Sequence, residues 1–540
     1  MKQTLAYIPP KWFFPAIPVV LITGLAGILL WSAWQHNDQQ LIFPLDDTYI
    51  HLAISEHLVE TGIWAPTGDR FQSTSSSPGF TILLSTVMKL LGNHAWLPLL
   101  INFPVGIALV VQFWRWISAE VSNSVWGSLL TLIFSLLLPV HLLILCGLEH
   151  IVHIGLIMSV GYSWARWMSG DQTPRMGVFW TLVMLSVWFR YESLFLVAAM
   201  GGLMMLRKQW KDGLVLWGVG WTPVLIMGIW SIGQGGTFLP LSILSKGHAP
   251  GLIGQQLWGV LLRGLESLYE NPFIWVQVIV LLAGLVRSQW LGMRWRRGEW
   301  LAVASLFAAI PQIWLAEIGG YRYEAWWMGL AMLAIIQIGS TIEFPRMSLK
   351  SWALMGITIG VLMLPLGMRS MFFTANYRTS TTNVYHQHIQ ISKFFQAHFP
   401  KASVATNDIG ALSYFTDIRL TDLVGLGDQA VYEAIQAGDH GPSFTAELTN
   451  RREIQFAVIH EFWTGRFIPE NWVAVADWTI PDNFICAGPT MTFFASDSLQ
   501  AKTLEEALTQ FQSELPPSID VEYRHPNDAQ QEDPPSVSAE

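Results

Sequence analysis

The chain has 540 residues, 52% of them hydrophobic and only 13% charged, with a formal net charge of −9. Average soluble proteins carry about twice that charged fraction. Apolar runs long enough to cross a bilayer recur along most of the sequence, which excludes an ordinary soluble enzyme, and no basic tract points to a nucleic-acid partner.

The first apolar run, about 12–34, follows a lysine-bearing lead with no small-residue cleavage site, so it reads as an uncleaved span rather than a signal peptide. Further spans are expected at roughly 95–114, 124–146, 151–167, 176–189, 192–206, 213–231, 272–286, 300–316, 325–340 and 351–369, about eleven in all. Many of the Trp and Tyr residues stand near the ends of these runs, as interfacial anchors do. With the N-terminus inside, the cytoplasmic side holds Lys2, Lys11, Arg115, Arg166, Arg175, Arg207, Lys208, Lys211, Arg287, Arg294, Arg296, Arg297, Arg346 and Lys350. Fewer cations remain outside and most acids of the membrane region lie there, which satisfies the positive-inside rule.

This threading makes residues 1–369 a membrane module with large external loops at about 35–94 and 232–271. Residues 370–513 then form an extracytoplasmic domain. Strand-like runs in "SVATNDIGALSYFTDIRLTDLVGLG", "QFAVIHEFW" and "TMTFFAS", with a helical pattern in "TLEEALTQFQSEL", predict a mixed α/β fold. The acidic, proline-containing stretch 514–540 reads as a disordered tail. Cys146 and Cys486 form no metal-site spacing and are too few to report the redox compartment.

Ionisable residues avoid the middles of the spans but collect at their outer ends. Glu149 and His150 stand in "CGLEH", Arg190 and Glu192 in "WFRYESLF", Glu317, Arg322, Tyr323 and Glu324 in "EIGGYRYEAWW", and Lys246 in "LPLSILSKG". Charges so close to hydrocarbon are costly unless paired or facing a wet cavity. Their shared sidedness predicts one polar cavity at the outer face, beneath the loop carrying Asp46 and Asp47. Each motif also has a purely structural reading. Asp46-Asp47-Thr48 could cap a helix at about 48–60. Arg190/Glu192 and Arg322/Glu324 could be mutual ion pairs, and Lys246 could snorkel. "STSSSPGF" suits a helix start, and His51, one turn after Asp47, suits a surface hydrogen bond better than metal ligation.

A lipid-linked, phosphate-bearing sugar fits such a cavity. The phosphate is already a leaving group, so the attacking hydroxyl needs a general base, and an aspartate beside a second acid can serve. Cations must meet the charge that develops on the leaving phosphate, and Lys246, Arg190 or Arg322 are the candidates. The sequence shows no glycine-rich nucleotide loop. It requires no cofactor and leaves a divalent metal open.

In these stretches, together with "DDTYIHLAISEHLVETG", "STSSSPGFTILLSTVMKLLG" and "NDIGALSYFTDIRLTDLVGLG", the chain resembles the GT-C superfamily of glycosyltransferases, which use polyprenyl-phosphate sugars. More narrowly it is similar to the branch of the mycobacterial terminal arabinofuranosyltransferases and their bacterial relatives. The resemblance spans about 43–430 and implies a GT-C-like polytopic α-helical membrane protein. It implies an acidic pair in the first external loop, here Asp46 and Asp47, with one member the catalytic base, and amphipathic helices at about 48–60 and 78–91. His150 and Tyr191 stand where those relatives often carry Thr and Pro, which puts substrate identity in doubt. The implied activity is inverting transfer of a hexosyl or pentosyl group from a polyprenyl-phosphate donor to a glycan, lipid or protein acceptor. The expected setting is the external face of a bacterial plasma membrane. The external segments hold no Asn-X-Ser/Thr sequon, which agrees with a bacterial setting. A transporter or flippase of lipid-linked glycans is the main rival, and a non-catalytic partner in envelope assembly is a second. A transporter is expected to show internal repeats and midplane polar groups, and neither is visible.

Overall fold

The computed structural model describes residues 13–67, 70–121, 123–246, 254–342 and 349–524. They form two compact units, one of Met1–Ser32 with Ser75–Tyr377 and the other of Ala33–Thr74 with Arg378–Glu540, each over its described residues.

The first unit is helical. Each expected span falls on helix, that at 124–146 in two pieces, and among the described residues six helices are long and apolar enough to cross a membrane: Phe13–His36, Leu97–Ser118, Trp210–Gly233, Pro272–Trp290, Arg297–Leu315 and Gly356–Ala375. The shorter apolar helices include Ser124–Leu137, Met176–Phe189, Ser193–Leu206 and Ala325–Gly339. His150–Ser169 is a further helix of 20 residues. The span expected at 124–146 is broken. It stops at Leu137 and resumes as Val140–Leu145, because Pro139 supplies no N–H and crowds the preceding turn. Neighbouring helices approach closely where a side chain is missing. A Cβ on Gly213 would lie 2.8 Å from the Gly201 carbonyl oxygen, so the helices Ser193–Leu206 and Trp210–Gly233 pack almost backbone to backbone.

The second unit is built on a six-stranded sheet of β1 (Ser403–Thr406), β2 (Arg419–Asp422), β3 (Phe456–Ile459), β4 (Val473–Thr479), β5 (Thr490–Ala495) and β6 (Asp520–Tyr523), in the order β2-β1-β3-β5-β4-β6. β1 is parallel to β2 and β3, and the remaining pairs are antiparallel. Alternation along each strand divides the core between two faces. Phe456 and Val458 of β3 pack with Phe394, Phe395, Phe493, Leu508 and Phe511 on one face, while Ala457 and Ile459 pack with Val431, Leu448 and Phe494 on the other. Helices therefore cover both sides, as a sheet with a parallel core requires.

β6 corrects the expected limit of the tail. Residues 520–523 do not belong to a disordered tail but pair with β4, with Val521 opposite Trp478 and Tyr523 opposite Ala476. Proline and acid content suggested disorder, but the edge of β4 offers backbone partners whatever the side chains are. Residues 525–540 lie outside the described part. The sheet unit also takes in Ala33–Thr74, which the sequence assigned to the membrane module.

Candidate functional site

Two groups of polar residues stand out, one in each unit. In the sheet unit, β1 is flanked by β2 on one side and β3 on the other, so the crevice beyond the carboxyl ends of β1 and β3 is the switch point where open α/β sheets receive ligands. Asp408 follows β1 and His460 follows β3. The helix Gly410–Phe415 starts just after Asp408, and its first amides point at an anion. That anion is a side chain of the same unit. Gly410 N–H and Ala411 N–H donate to Asp46 Oδ2 and Oδ1 at 2.7 and 2.8 Å.

Asp46 immediately precedes the helix Asp47–Glu60, and its side chain makes no capping bond to that helix. The capping reading of the acidic pair therefore does not hold for Asp46, whose carboxylate is spent on Gly410 and Ala411. The helix is fixed further along by Tyr49, fully buried, whose ring centroid lies 5.3 Å from that of Phe415 and 6.2 Å from that of Tyr414. Its hydroxyl accepts from Phe43 N–H at 3.1 Å. Asp47 is then the first residue of the helix and half-buried, and His51, one turn on, is buried.

His388 completes the group. It lies on a π-helical turn, Tyr385–Ile389, a local widening that often marks a functional site. Its Nδ1 is 3.4 Å from Asp46 Oδ1 and its Nε2 is 3.8 Å from Asp408 Oδ2. His460 Nε2 lies 3.3 Å from the same Asp408 oxygen. Burial opposes an imidazolium at His388, but Asp46 and the Cys486 thiol outweigh it and hold its pKa well above the ordinary 6.5. Burial likewise opposes ionisation of Asp408, yet His460 and His388 pull its pKa below the ordinary value while Asp47 pushes against them. Among the described residues, no group of three or more His, Cys, Asp or Glu is arranged to hold a metal ion.

The second group lies in the helical unit and gathers Glu149, His150, Arg190, Glu192, Arg322 and Tyr323. Arg190 Nη1 donates to Glu149 Oε1 at 2.5 Å, Nε donates to Glu192 Oε2 at 3.1 Å, and Nη2 donates to Glu192 Oε1. His150 Nε2 is 3.4 Å from Arg190 Nη1. Tyr323 closes the group. Arg190 and Arg322 lie over its ring at 5.5 and 4.6 Å, and Arg322 Nη2 donates to its hydroxyl at 2.9 Å. The Arg190/Glu192 ion pair exists. Glu324 takes Arg369 Nη2 on Oε1 and Gly319 N–H on Oε2 at 3.0 Å. "STSSSPGF" begins the helix Pro78–Leu91, and Ser77 Oγ donates to the Phe189 carbonyl at 2.6 Å, tying that start to the residue before Arg190. Lys246 ends the helix Leu241–Lys246, and its side chain lies outside the described residues.

Asp46 and Asp47 thus fall in one unit and the expected phosphate-binding cations in the other. Sequence reasoning missed His388, Asp408, Gly410, His460 and Arg369. "NDIG" at the end of a strand run was the available signal, since an acid followed by glycine at a strand-to-helix turn is where such a sheet binds.

A family model described as a domain of unknown function (DUF8728) matches residues 375–494. No curated protein matches the sequence. The structure is similar to ArnT from Cupriavidus metallidurans bound to undecaprenyl phosphate, with a TM-score of 0.51 and 12% identity over 89% of this chain and 98% of that one. The same protein in the apo state gives 0.50 and 12% over the same shares. At that identity the likeness is one of fold: the chain is a GT-C-like polytopic helical protein with a mixed-sheet C-terminal domain.

Proposed function

We propose that the chain is an inverting glycosyltransferase of the bacterial plasma membrane. It moves a sugar from a polyprenyl-phosphate donor to a hydroxyl of a cell-envelope glycan, lipid or protein on the external face. The observation that carries this reading is the docking of Asp46 on the Gly410 and Ala411 amides in a GT-C-like fold, which leaves Asp47, at the first turn of the helix Asp47–Glu60, as the base. Each oxygen of the Asp46 carboxylate accepts a backbone amide, which fixes the side chain in place. Asp46 therefore acts as the anchor and Asp47 as the base, which narrows what the acidic pair alone left open.

Asp47 takes the proton as the acceptor oxygen attacks the anomeric carbon, the bond to the phosphate oxygen breaks in line, and the configuration inverts. The cations proposed to meet the charge on the leaving phosphate are Arg322 and Lys246, with His51 and Tyr323 proposed for substrate contacts and Arg190 held by Glu149 and Glu192. The undecaprenyl phosphate bound to the ArnT of similar fold supports the donor class. The resemblance to the arabinofuranosyltransferase branch supports a pentose as the first sugar to test. The experiment is incubation of the purified, reconstituted protein with a panel of polyprenyl-phosphate sugars, following free polyprenyl phosphate. Release with one donor and an acceptor hydroxyl supports the reading. Movement of intact lipid-linked glycan across the bilayer without bond cleavage would make the protein a flippase.

A further inference from the structure

The loop between the helices Arg297–Leu315 and Ala325–Gly339 carries Arg322 and Tyr323, and its backbone is not one the chain would adopt unaided. Gly319, Gly320 and Tyr321 follow one another with φ of 129°, 58° and 56°. Positive φ costs glycine little but opposes a bulky side chain, so Tyr321 stays there only because its surroundings hold it. Those surroundings come from two directions. Gln312 spans the base of the loop, donating from Nε2 to the Glu317 carbonyl at 3.1 Å and accepting from Trp326 Nε1 at 3.2 Å. The helix Gly356–Ala375 grips the turn itself. Its Phe373 ring lies 5.0 Å from that of Tyr321, and one turn earlier Arg369 donates from Nη2 to Glu324 Oε1. Glu324 stands at a helix start, where an acid commonly caps, yet its side chain makes no capping bond. Its Oε2 accepts from Gly319 N–H at 3.0 Å instead.

Stability alone does not account for the Arg369/Glu324 pair. Both residues are buried, and a buried ion pair is often no better for stability than apolar side chains of the same volume. Arg369 Nη1 is moreover buried without a hydrogen-bond partner among the described residues, a further cost. Ionisable side chains on a helix of membrane-spanning length are retained mostly where they serve a site. What this pair provides is a fixed place: through Glu324 it ties Gly319 to the far end of the loop, with Arg322 and Tyr323 between. We propose that Arg369 and Glu324 are positioning residues, a clamp that holds the Gly319–Tyr321 turn and so presents Arg322 and Tyr323 to the donor phosphate. Glu324 thereby supports the site rather than touching the substrate. The inference rests on Arg322 being a phosphate contact.

The test is equilibrium binding of undecaprenyl phosphate by the reconstituted full chain, read beside its melting temperature. The double variant Glu324→Leu/Arg369→Met removes both charges at once and leaves neither stranded in the interior. It is expected to melt near the parent's temperature and to bind about tenfold more weakly, the weight of one charge-assisted hydrogen bond. Arg322→Ala should bind weakly as well. Adding it to the double variant should cost little more, because a clamp that acts through Arg322 then has nothing left to position. Parent affinity in the double variant, or losses that multiply in full when the changes are combined, would overturn the inference. Should the double variant fail to fold, Glu324→Gln decides by the same readings, since it keeps an acceptor for Gly319 N–H and drops the charge facing Arg369. Parent affinity in Arg322→Ala would instead sink the reading of Arg322 as a phosphate contact.

Discussion

Gly410 is the residue on which the placement of Asp46 depends most sharply. A Cβ there would lie 2.2 Å from the Asp46 carbonyl oxygen and 2.6 Å from Oδ2, and the carbonyl belongs to backbone that cannot step aside. Gly410→Ala is expected to expel Asp46 from the two amides, cost about 1–3 kcal/mol of stability, and lower transfer at least as far as Asp46→Asn does. Wild-type transfer by Gly410→Ala would mean that the docking does not matter to activity. Arg190 and Arg322 separate in the same way. Removing Arg190 leaves the buried Glu149 without its cation, a change that costs about 3–5 kcal/mol in comparable buried pairs. Arg190→Ala should therefore lower the melting temperature of the solubilised protein. Arg322→Ala should chiefly weaken donor binding, and equal donor affinity in Arg322→Ala and the parent would remove Arg322 from the phosphate contacts.

At the scale of elements, β2 carries a group whose titration is visible in stability. Asp422, at its end, is fully buried, and burial pushes its carboxyl up to about 6, only partly countered by the Gly427 and Val424 amides. A raised folded value means that the folded state holds the proton more tightly than the unfolded one. Its stabilising contribution is complete below the ordinary 3.8 and is lost as pH rises through about 6. His388 acts in the same sense above 6.5, and Asp408 in the opposite sense only towards acid. Thermal unfolding should accordingly show stability falling as pH rises from below 3.8 to above about 6, by up to about 3 kcal/mol in all from Asp422, and Asp422→Asn should flatten that slope. A flat parent profile would contradict the assigned burial. The elements themselves were legible in unequal measure. Long apolar runs announced the helices, because a single segment in hydrocarbon satisfies its own backbone groups only as a helix. The break at Pro139 was written in the sequence but outweighed by the apolar run around it. β6 was hidden by its polar composition, since an edge strand is specified by its neighbour as much as by its own residues.

For the whole molecule, the organisation was less legible than the parts. Asp46 and Asp47 drew notice as bare acids beyond an apolar span, but the amides that hold Asp46 lie 364 and 365 positions further on. No spacing rule connects residues so far apart. The grouping of Ala33–Thr74 with the sheet domain was invisible for the same reason. The sidedness proposed for that domain has its own test. Asp439→Cys places a thiol at an exposed position, against a background of buried Cys146 and half-buried Cys486. It should react with an impermeant reagent added outside intact cells, and protection there would reverse the topology.

The measurement that bears most directly on the account is single-turnover sugar transfer by reconstituted Asp47→Asn, read beside donor binding by the same protein. Loss of the base should lower the rate by about 10²–10⁴-fold while donor affinity stays near that of the parent. Transfer at the parent rate, with donor bound equally well, would contradict the account at its centre.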